Sequence, residues 1–224
     1  MRLPEKYENE MKDLLQEEYE AYKESLGLPI QQGYRINTGK ISKEEWEKIA
    51  PFSAKEVPWI ENGYFLLDDF RASRHPYYFA GLYYLQEPSA MTPANRLNVE
   101  PGDFVLDLCA APGGKATELG SRLKGKGMLV ANDISNSRAK ALLKNLELAG
   151  IANLYVTSEE PTKLCQNFPE FFDKVLIDAP CSGEGMFHRE PKMIEYWEKR
   201  GPEEYVPIQK QLILYGSLYV PADN

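Results

Sequence analysis

From Phe104 onward the chain alternates short apolar runs with amphipathic stretches. Phe104-Val-Leu-Asp-Leu108, Met128-Leu-Val-Ala131, Leu154-Tyr-Val-Thr157 and Asp173-Lys-Val-Leu-Ile177 each hold at least three consecutive apolar or β-branched residues or nearly so, the pattern of a buried strand. Between the first two, a glycine turn at Gly113-Gly114 leads into a helix expected over Ala116 to Leu123. Ser135 caps a second helix that runs to Ala149, where Gly150 stops it. Strands that alternate with helices across short turns form βαβ units and a parallel sheet covered on both faces. The expected fold class is α/β, doubly wound.

The first part of the chain has a different pattern. Tyr7, Met11, Leu14, Leu15, Tyr19 and Tyr22 fall at helical spacing, which predicts one amphipathic helix from about Glu5 to Leu26, ended by Gly27 and Pro29. Tyr34-Arg-Ile-Asn-Thr38 reads as a short strand, and Ser42-Lys-Glu-Glu45 opens a helix with a capping box. Pro51, Pro58 and Gly63 punctuate the stretch from there to Asp69. The expected organisation is a small α+β extension over residues 1–70, a connecting segment over 71–100 and the α/β domain over 101–224.

Composition narrows the classes of function. Apolar runs such as Val175-Leu176-Ile177 are far too short to span a bilayer, and the acidic start (Glu5, Glu8, Glu10, Asp13) is neither a secretory signal nor a transit peptide. The expected location is therefore the cytoplasm, with no membrane partner. Cys109, Cys165, Cys181, His75 and His188 are too few and too scattered for a disulfide framework or a metal site. A net charge of -8 argues against binding nucleic acid by electrostatics alone, although it leaves room for a local basic groove.

In such sheets ligands bind outside the carboxyl ends of the strands. After the first strand come Cys109, Ala110, Ala111, Pro112, Gly113, Gly114 and Lys115. Small residues let backbone N–H groups approach a ligand, and the helix after them offers its positive N-terminus to a carboxylate. Asp133, twenty residues beyond Gly113, stands where an acid accepts hydrogen bonds from both hydroxyls of a ribose. A Walker loop is excluded because Cys109 and Ala116 occupy its glycine and Ser/Thr positions, and G-x-G-x-x-G is absent. A bare strand-to-helix turn is the competing explanation, and Asp133 weighs against it. Ser158-Glu159-Glu160 either supplies an acid to an adenine amino group or forms a solvated turn.

The fourth strand runs into Asp178-Ala-Pro-Cys-Ser-Gly-Glu-Gly185, where Pro180 fixes the backbone and Gly183 and Gly185 let it wrap a flat substrate. Carbon 5 of a pyrimidine is a poor nucleophile. A thiolate that adds to carbon 6 makes it electron-rich enough to take a methyl group, after which the carbon 5 proton leaves and the thiolate is eliminated. Cys181 and Asp178 are the candidate catalytic residues. The plain alternative, a small buried hydrophobe, suits Cys165 better than Cys181.

Leu106-Asp-Leu-Cys-Ala-Ala-Pro-Gly-Gly-Lys115 and Asp178-Ala-Pro-Cys-Ser-Gly-Glu-Gly185 resemble the signature motifs of the Nop/Sun family of RNA 5-methylcytosine methyltransferases. Tyr34-Arg-Ile-Asn-Thr38 and the segment His75 to Ala90 resemble its bacterial RsmF/YebU-like branch, which acts on 16S ribosomal RNA. The resemblance implies a Rossmann-like methyltransferase sheet, S-adenosylmethionine as cofactor, and RNA of the small ribosomal subunit as partner. It also implies a cofactor pocket lined by Cys109 to Lys115, Asp133, Glu160 and Asp178, with Glu160 rather than Glu159 on the family's acid.

One departure stands out. In the family a second cysteine, in a Thr-Cys-Ser or Thr-Cys-Thr motif after the fifth strand, adds to carbon 6, and the counterpart of Cys181 assists product release. No such motif occurs in these 224 residues. The resemblance then implies a sheet incomplete on its C-terminal side and a fragment with little or no activity of its own; the apolar edge such a sheet leaves at Lys174 to Ile177 is a place for self-association. The alternatives are a non-catalytic cofactor- or RNA-binding remnant and a transfer-RNA cytosine-5 methyltransferase.

Overall fold

The computed structural model describes residues 2–68 and 71–221. The N-terminal apolar stripe forms two helices, α1 (Glu5–Leu15) and α2 (Tyr19–Ser25), joined by a 3-10 turn (Gln16–Glu18), where one helix was expected. The break sits at Gln16, whose φ is 47°. An unbroken helix rising ~1.5 Å per residue would hold residues 7 and 22 roughly 22 Å apart. The break instead folds α2 back, and the hydroxyls of Tyr7 and Tyr22 meet at 2.6 Å. Leu14, expected on the buried stripe, is 74% exposed as a result.

An antiparallel sheet comes next, built from β1 (Gly33–Ile36), β2 (Ala54–Glu56), β3 (Gly63–Leu66) and β4 (Tyr83–Leu85) in the order β2-β3-β1-β4. Helices α3 (Lys43–Ile49) and α4 (Pro76–Phe79) lie in its connections. The capping box at Ser42 forms as expected, with Glu45 reciprocating. On β1, Tyr34 stacks on Tyr64 with centroids 5.1 Å apart and meets Trp46, Phe52 and Tyr83 edge-on or tilted. The expected boundary at residue 70 lies outside the described residues. The sheet itself continues past it, because β4, inside the segment expected to be a connection, pairs with β1 (Tyr34 opposite Leu85). A three-residue strand carries too little periodicity to be read from sequence.

Beyond α5 (Thr92–Arg96) the α/β pattern appears as expected: β5 (Phe104–Asp107), α6 (Gly114–Arg122), β6 (Met128–Asn132), α7 (Asn136–Ala149), β7 (Leu154–Thr157), α8 (Pro161–Asn167) and β8 (Lys174–Leu176). The strands are all parallel in the order β7-β6-β5-β8. Side chains alternate across the sheet. Val105, Leu129 and Ala131 join Leu119, Leu123, Leu142 and Leu146 of α6, α7 and the residue after α6 on one face. Leu106 and Val130 join Leu164, Phe172, Leu212 and Tyr219 on the other. After α9 (Lys192–Arg200), α10 (Val206–Tyr219) supplies those last two residues. Its Leu218 and Tyr219 carbonyls accept hydrogen bonds from Glu170 and Phe172 N–H. Ser135 occupies the N-cap of α7 without a side-chain cap bond; Asp133 Oδ1 accepts from its N–H at 3.0 Å instead.

The chain divides into two compact units. The larger comprises Gln31–Ala179 and Gln211–Asn224 and contains both sheets. Within it, Asn37, just after β1, donates to the Gly81 and Ala149 carbonyls at 2.9 and 2.8 Å. Gly81 adopts φ +67°, and a Cβ there would lie 2.0 Å from the Leu148 carbonyl oxygen. The smaller unit comprises Met1–Ile30 and Pro180–Lys210. Its core is Leu3, Tyr7, Phe187 and Trp197, with the Tyr7 ring edge-on to the other two aromatics.

Candidate active site

The carboxyl ends of β5, β6 and β7 are fixed by one side chain. Asn132, 1% exposed at the end of β6, donates to the Leu108 and Glu159 carbonyls at 3.2 and 3.0 Å. Its Oδ1 accepts from Thr157 Oγ1 and the Glu159 N–H. Its backbone carbonyl takes the Ala110 N–H at 2.7 Å. The loops that leave all three strands therefore start from defined positions.

The loop after β5 is the glycine turn. Gly113 has φ +114°, a left-handed conformation that glycine adopts without strain, and it delivers the chain into the first turn of α6 at Gly114. The loop carbonyls are held from behind, Pro112 by Asn145 at 2.7 Å and Ala111 by Arg138 at 2.9 Å. Arg138 also reaches Asp133 Oδ2 at 3.2 Å. Cys109, Ala110, Ala111, Pro112, Gly113, Gly114 and Lys115 are thus brought together with Asp133, which is 2% exposed. Lys115 Nζ lies 2.5 Å from Asp178 Oδ2, a bond that ties the glycine turn to the chain leaving β8.

The pair of glutamates after β7 resolves. Glu159 is held by Lys163 through both carboxylate oxygens at 2.7 Å. Glu160 occupies the N-cap of α8, is exposed, and its carboxylate has no hydrogen-bond partner among the described residues. Cys181 is exposed and belongs to the smaller unit, while Asp178 belongs to the larger. The loop that carries Cys181 is fixed within its own unit, where Glu184 Oε1 accepts from Ser182 Oγ at 2.9 Å and Trp197 Nε1 at 2.7 Å. Cys165 packs half-buried on the core under α10.

Asp107, at the end of β5, was not singled out from sequence. It is 0% exposed, and neither carboxylate oxygen has a hydrogen-bond partner of ordinary geometry among the described residues. Burial pushes its pKa up to about 7; Asp178 and Asp133 push the same way, while Lys115 and the Cys109 backbone N–H oppose. Burial, together with Asp107, Asp133 and Asp178, raises the Cys109 thiol to about 12, so it is neutral at physiological pH and no nucleophile. The floor of the site is negative and under-compensated, the field that a cationic ligand would balance. A charged residue in an otherwise apolar strand run was the signal for Asp107. Arg138 and Asn145 gave none, because their role depends on where α7 docks.

Two family models cover nearly the whole chain: the N-terminal domain of 16S rRNA methyltransferase RsmF matches residues 3–88, and 16S rRNA methyltransferase RsmB/F matches residues 94–220. The chain belongs to the RsmB/F methyltransferase family. It is 33% identical to the ribosomal RNA small subunit methyltransferase F of Pectobacterium atrosepticum over 95% of its length. It is 37% identical to the enzyme of that name from Shewanella piezotolerans over 83%. The chain spans about half the length of these curated relatives, 46% and 41% respectively. Among solved structures, a methyltransferase homolog from Pyrococcus horikoshii superposes with a TM-score of 0.74 at 31% identity, over 88% of this chain and 63% of that one. No helix among the described residues is long and apolar enough to cross a membrane.

Asp107 makes stability depend on pH. An acid whose folded pKa lies above its unfolded value of 3.8 binds more protons folded than unfolded. Its contribution is fully present below that value and is lost as pH rises through about 7. Thermal denaturation of the ligand-free chain at intervals from pH 4 to pH 8 is expected to show this decline, and Asp107→Asn is expected to flatten it.

Proposed function

We propose that this chain carries the cofactor-binding part of an S-adenosylmethionine-dependent RNA cytosine-5 methyltransferase that acts on 16S ribosomal RNA of the small subunit, in the cytoplasm. The observation that carries the reading is the convergence, in a member of this family, of the glycine turn, Asp107 and Asp133 at the carboxyl ends of β5 and β6. Two buried oxygens of Asp107 without partners suit a ligand that brings its own positive charge. S-adenosylmethionine carries an ammonium group and a sulfonium, and when bound it supplies an electrophilic methyl group.

The chain's own residues divide the work. The N–H groups of Gly114 and Lys115 at the start of α6 would take the cofactor's carboxylate, and Asp107 its ammonium. Asp133, with Oδ1 fixed by the Ser135 N–H, would accept from the ribose hydroxyls beside Arg138, which is paired with Oδ2 and held on the Ala111 carbonyl. Glu160 would accept from the adenine amino group. Cys109, Ala110, Ala111 and Pro112 shape the wall, and the raised pKa of Cys109 keeps it out of covalent chemistry. Asp178, held by Lys115, and the exposed thiol of Cys181 are the catalytic candidates. By the family's arrangement Cys181 would assist release of the methylated base, and the bond to carbon 6 would fall to the cysteine of the Thr-Cys motif, which these 224 residues do not carry.

Calorimetric titration with S-adenosylmethionine tests the pocket. Asp133→Ala is expected to weaken binding by ~1.5–3 kcal/mol, the worth of a lost charge-assisted hydrogen bond. Equal affinity of both proteins would remove the ribose assignment. Methyl transfer from labelled cofactor to 16S RNA is expected to be undetectable or very slow for these 224 residues. Robust formation of 5-methylcytosine that disappears in Cys181→Ala would make Cys181 the nucleophile. Finally, β8 has a neighbour on one side only among the described residues. An edge strand with apolar Val175 and Leu176 is a template for pairing. Self-association through it is expected to appear in light scattering over a concentration series, and a monodisperse monomer would refute it.

A further inference from the structure

A side chain from the antiparallel sheet reaches into the helix that starts at the glycine turn. Arg35, in the middle of β1, is 1% exposed. One guanidinium nitrogen donates to Glu118 Oε2, and the other donates to the Gly114 carbonyl at 2.9 Å and to Thr117 Oγ1 at 2.8 Å. Glu118 is 1% exposed, and its carboxylate also accepts from Asn62 Nδ2 at 3.1 Å and Arg122 Nε at 2.7 Å. Despite its burial, these partners hold its pKa below the usual carboxylate range. A second observation points to the same residue. A Cβ on Gly114 would lie 3.1 Å from Gln86 Nε2 and 3.2 Å from Tyr84 Cε1, both on or next to β4. The sheet therefore contacts the first turn of α6 from two strands.

We propose that Arg35 is a positioning residue for cofactor binding: by clamping Gly114 and Glu118, the antiparallel sheet sets where the free N–H groups of α6 point. The inference rests on the reading that the glycine turn binds S-adenosylmethionine. The physical case is that the fork of an arginine meets the two acceptors with two separate nitrogens. Two nitrogens of one rigid plane span the Gly114 carbonyl and the Glu118 carboxylate, four residues and about one helical turn apart. Lysine keeps the charge but is a single point with no fork. The carbonyls of the first helical turn are engaged inside the helix, so an outside donor on the Gly114 oxygen fixes the orientation of that peptide plane. The N–H of Gly114's successor, Lys115, belongs to the same plane and points in the opposite direction, toward a ligand. A small tilt of that plane misdirects the N–H group, and affinity falls without any change in a residue that touches the ligand.

The test uses the whole chain with Arg35→Lys, S-adenosylhomocysteine as the calorimetric probe, and amide hydrogen exchange of the ligand-free protein. Arg35→Lys is expected to bind the probe about tenfold more weakly, the effect of one charged hydrogen bond. Exchange is expected to quicken at Thr117, whose N–H is bonded to the Gly113 carbonyl at 2.8 Å, while Leu129 in β6 keeps its rate. Wild-type affinity in Arg35→Lys, or faster exchange at Thr117 and Leu129 alike, would leave Arg35 a general stabiliser and overturn the proposal. If Arg35→Lys does not fold, Arg35→Met leaves Glu118 paired with Arg122 and Asn62 and is read by the same two measurements. If the wild type fails to bind the probe, the cofactor reading falls. The local exchange comparison then still decides whether the clamp exists.

Discussion

The Asn132 amide sits where three parallel strands end, and every polar atom it has is used: two carbonyls accept from its nitrogen, and a hydroxyl and an N–H donate to its oxygen. Leaving a buried polar atom without a partner costs about 1–3 kcal/mol, so these bonds form together or the strand ends shift together. This fixes the origins of the loops from β5, β6 and β7. The glycine turn leaves from one, Asp133 comes directly after the second, and Glu159 and Glu160 open the third. A parallel sheet alone would set the strands about 4.8 Å apart without specifying how their ends face one another. The amide adds that specification.

On this rigid floor the electrostatics are left unbalanced. Burial first, and then the repulsion among Asp107, Asp133 and Asp178, raises the pKa values of Asp107 and Cys109. Lys115 offsets part of this through Asp178 at the mouth, where that carboxylate is 52% exposed. At the back, Lys115 and the Cys109 N–H offset the burial of Asp107 only in part, and neither of its oxygens has a hydrogen-bond partner of ordinary geometry among the described residues. Natural proteins satisfy or pair buried charge almost everywhere, and here the exception coincides with the end of the strand where ligands of such folds bind. A cationic ligand bound there would offset the cost to the free protein.

Around the floor, the supporting contacts come from sequence-distant elements. Arg138 and Asn145 of α7 hold the carbonyls of the glycine turn, and Arg35 and Asn62 from the antiparallel sheet and its connections hold the first turns of α6 through Glu118. The N-terminal sheet is thus part of the framework that holds the glycine turn and α6. Cys181 is organised differently. Its loop is secured by Glu184 and Trp197 within the smaller unit, which also contains the broken N-terminal helix pair.

Several features were determined by the sequence alone. The parallel strands, the helices α6 and α7, the capping box at Ser42 and the stop at Gly150 were legible because each depends on neighbours within a few residues: apolar period, a cap, a left-handed glycine. The glycine turn and Asp133 were legible as a pair because their spacing reflects one strand–helix–strand unit. The tertiary structure alone decided the rest. The break at Gln16 is tied to the meeting of Tyr7 with Tyr22, and β4 is a strand because β1 offers it an edge. Glu160 is separated from Glu159 because Lys163 takes the latter. Asp107, Arg138 and Arg35 acquire their roles from groups 27 to 83 positions away in the chain or from burial itself, and no local pattern records such distances. A side chain's chemistry is written in the sequence; its partners, its dielectric surroundings and therefore its charge are set only when the chain closes around it.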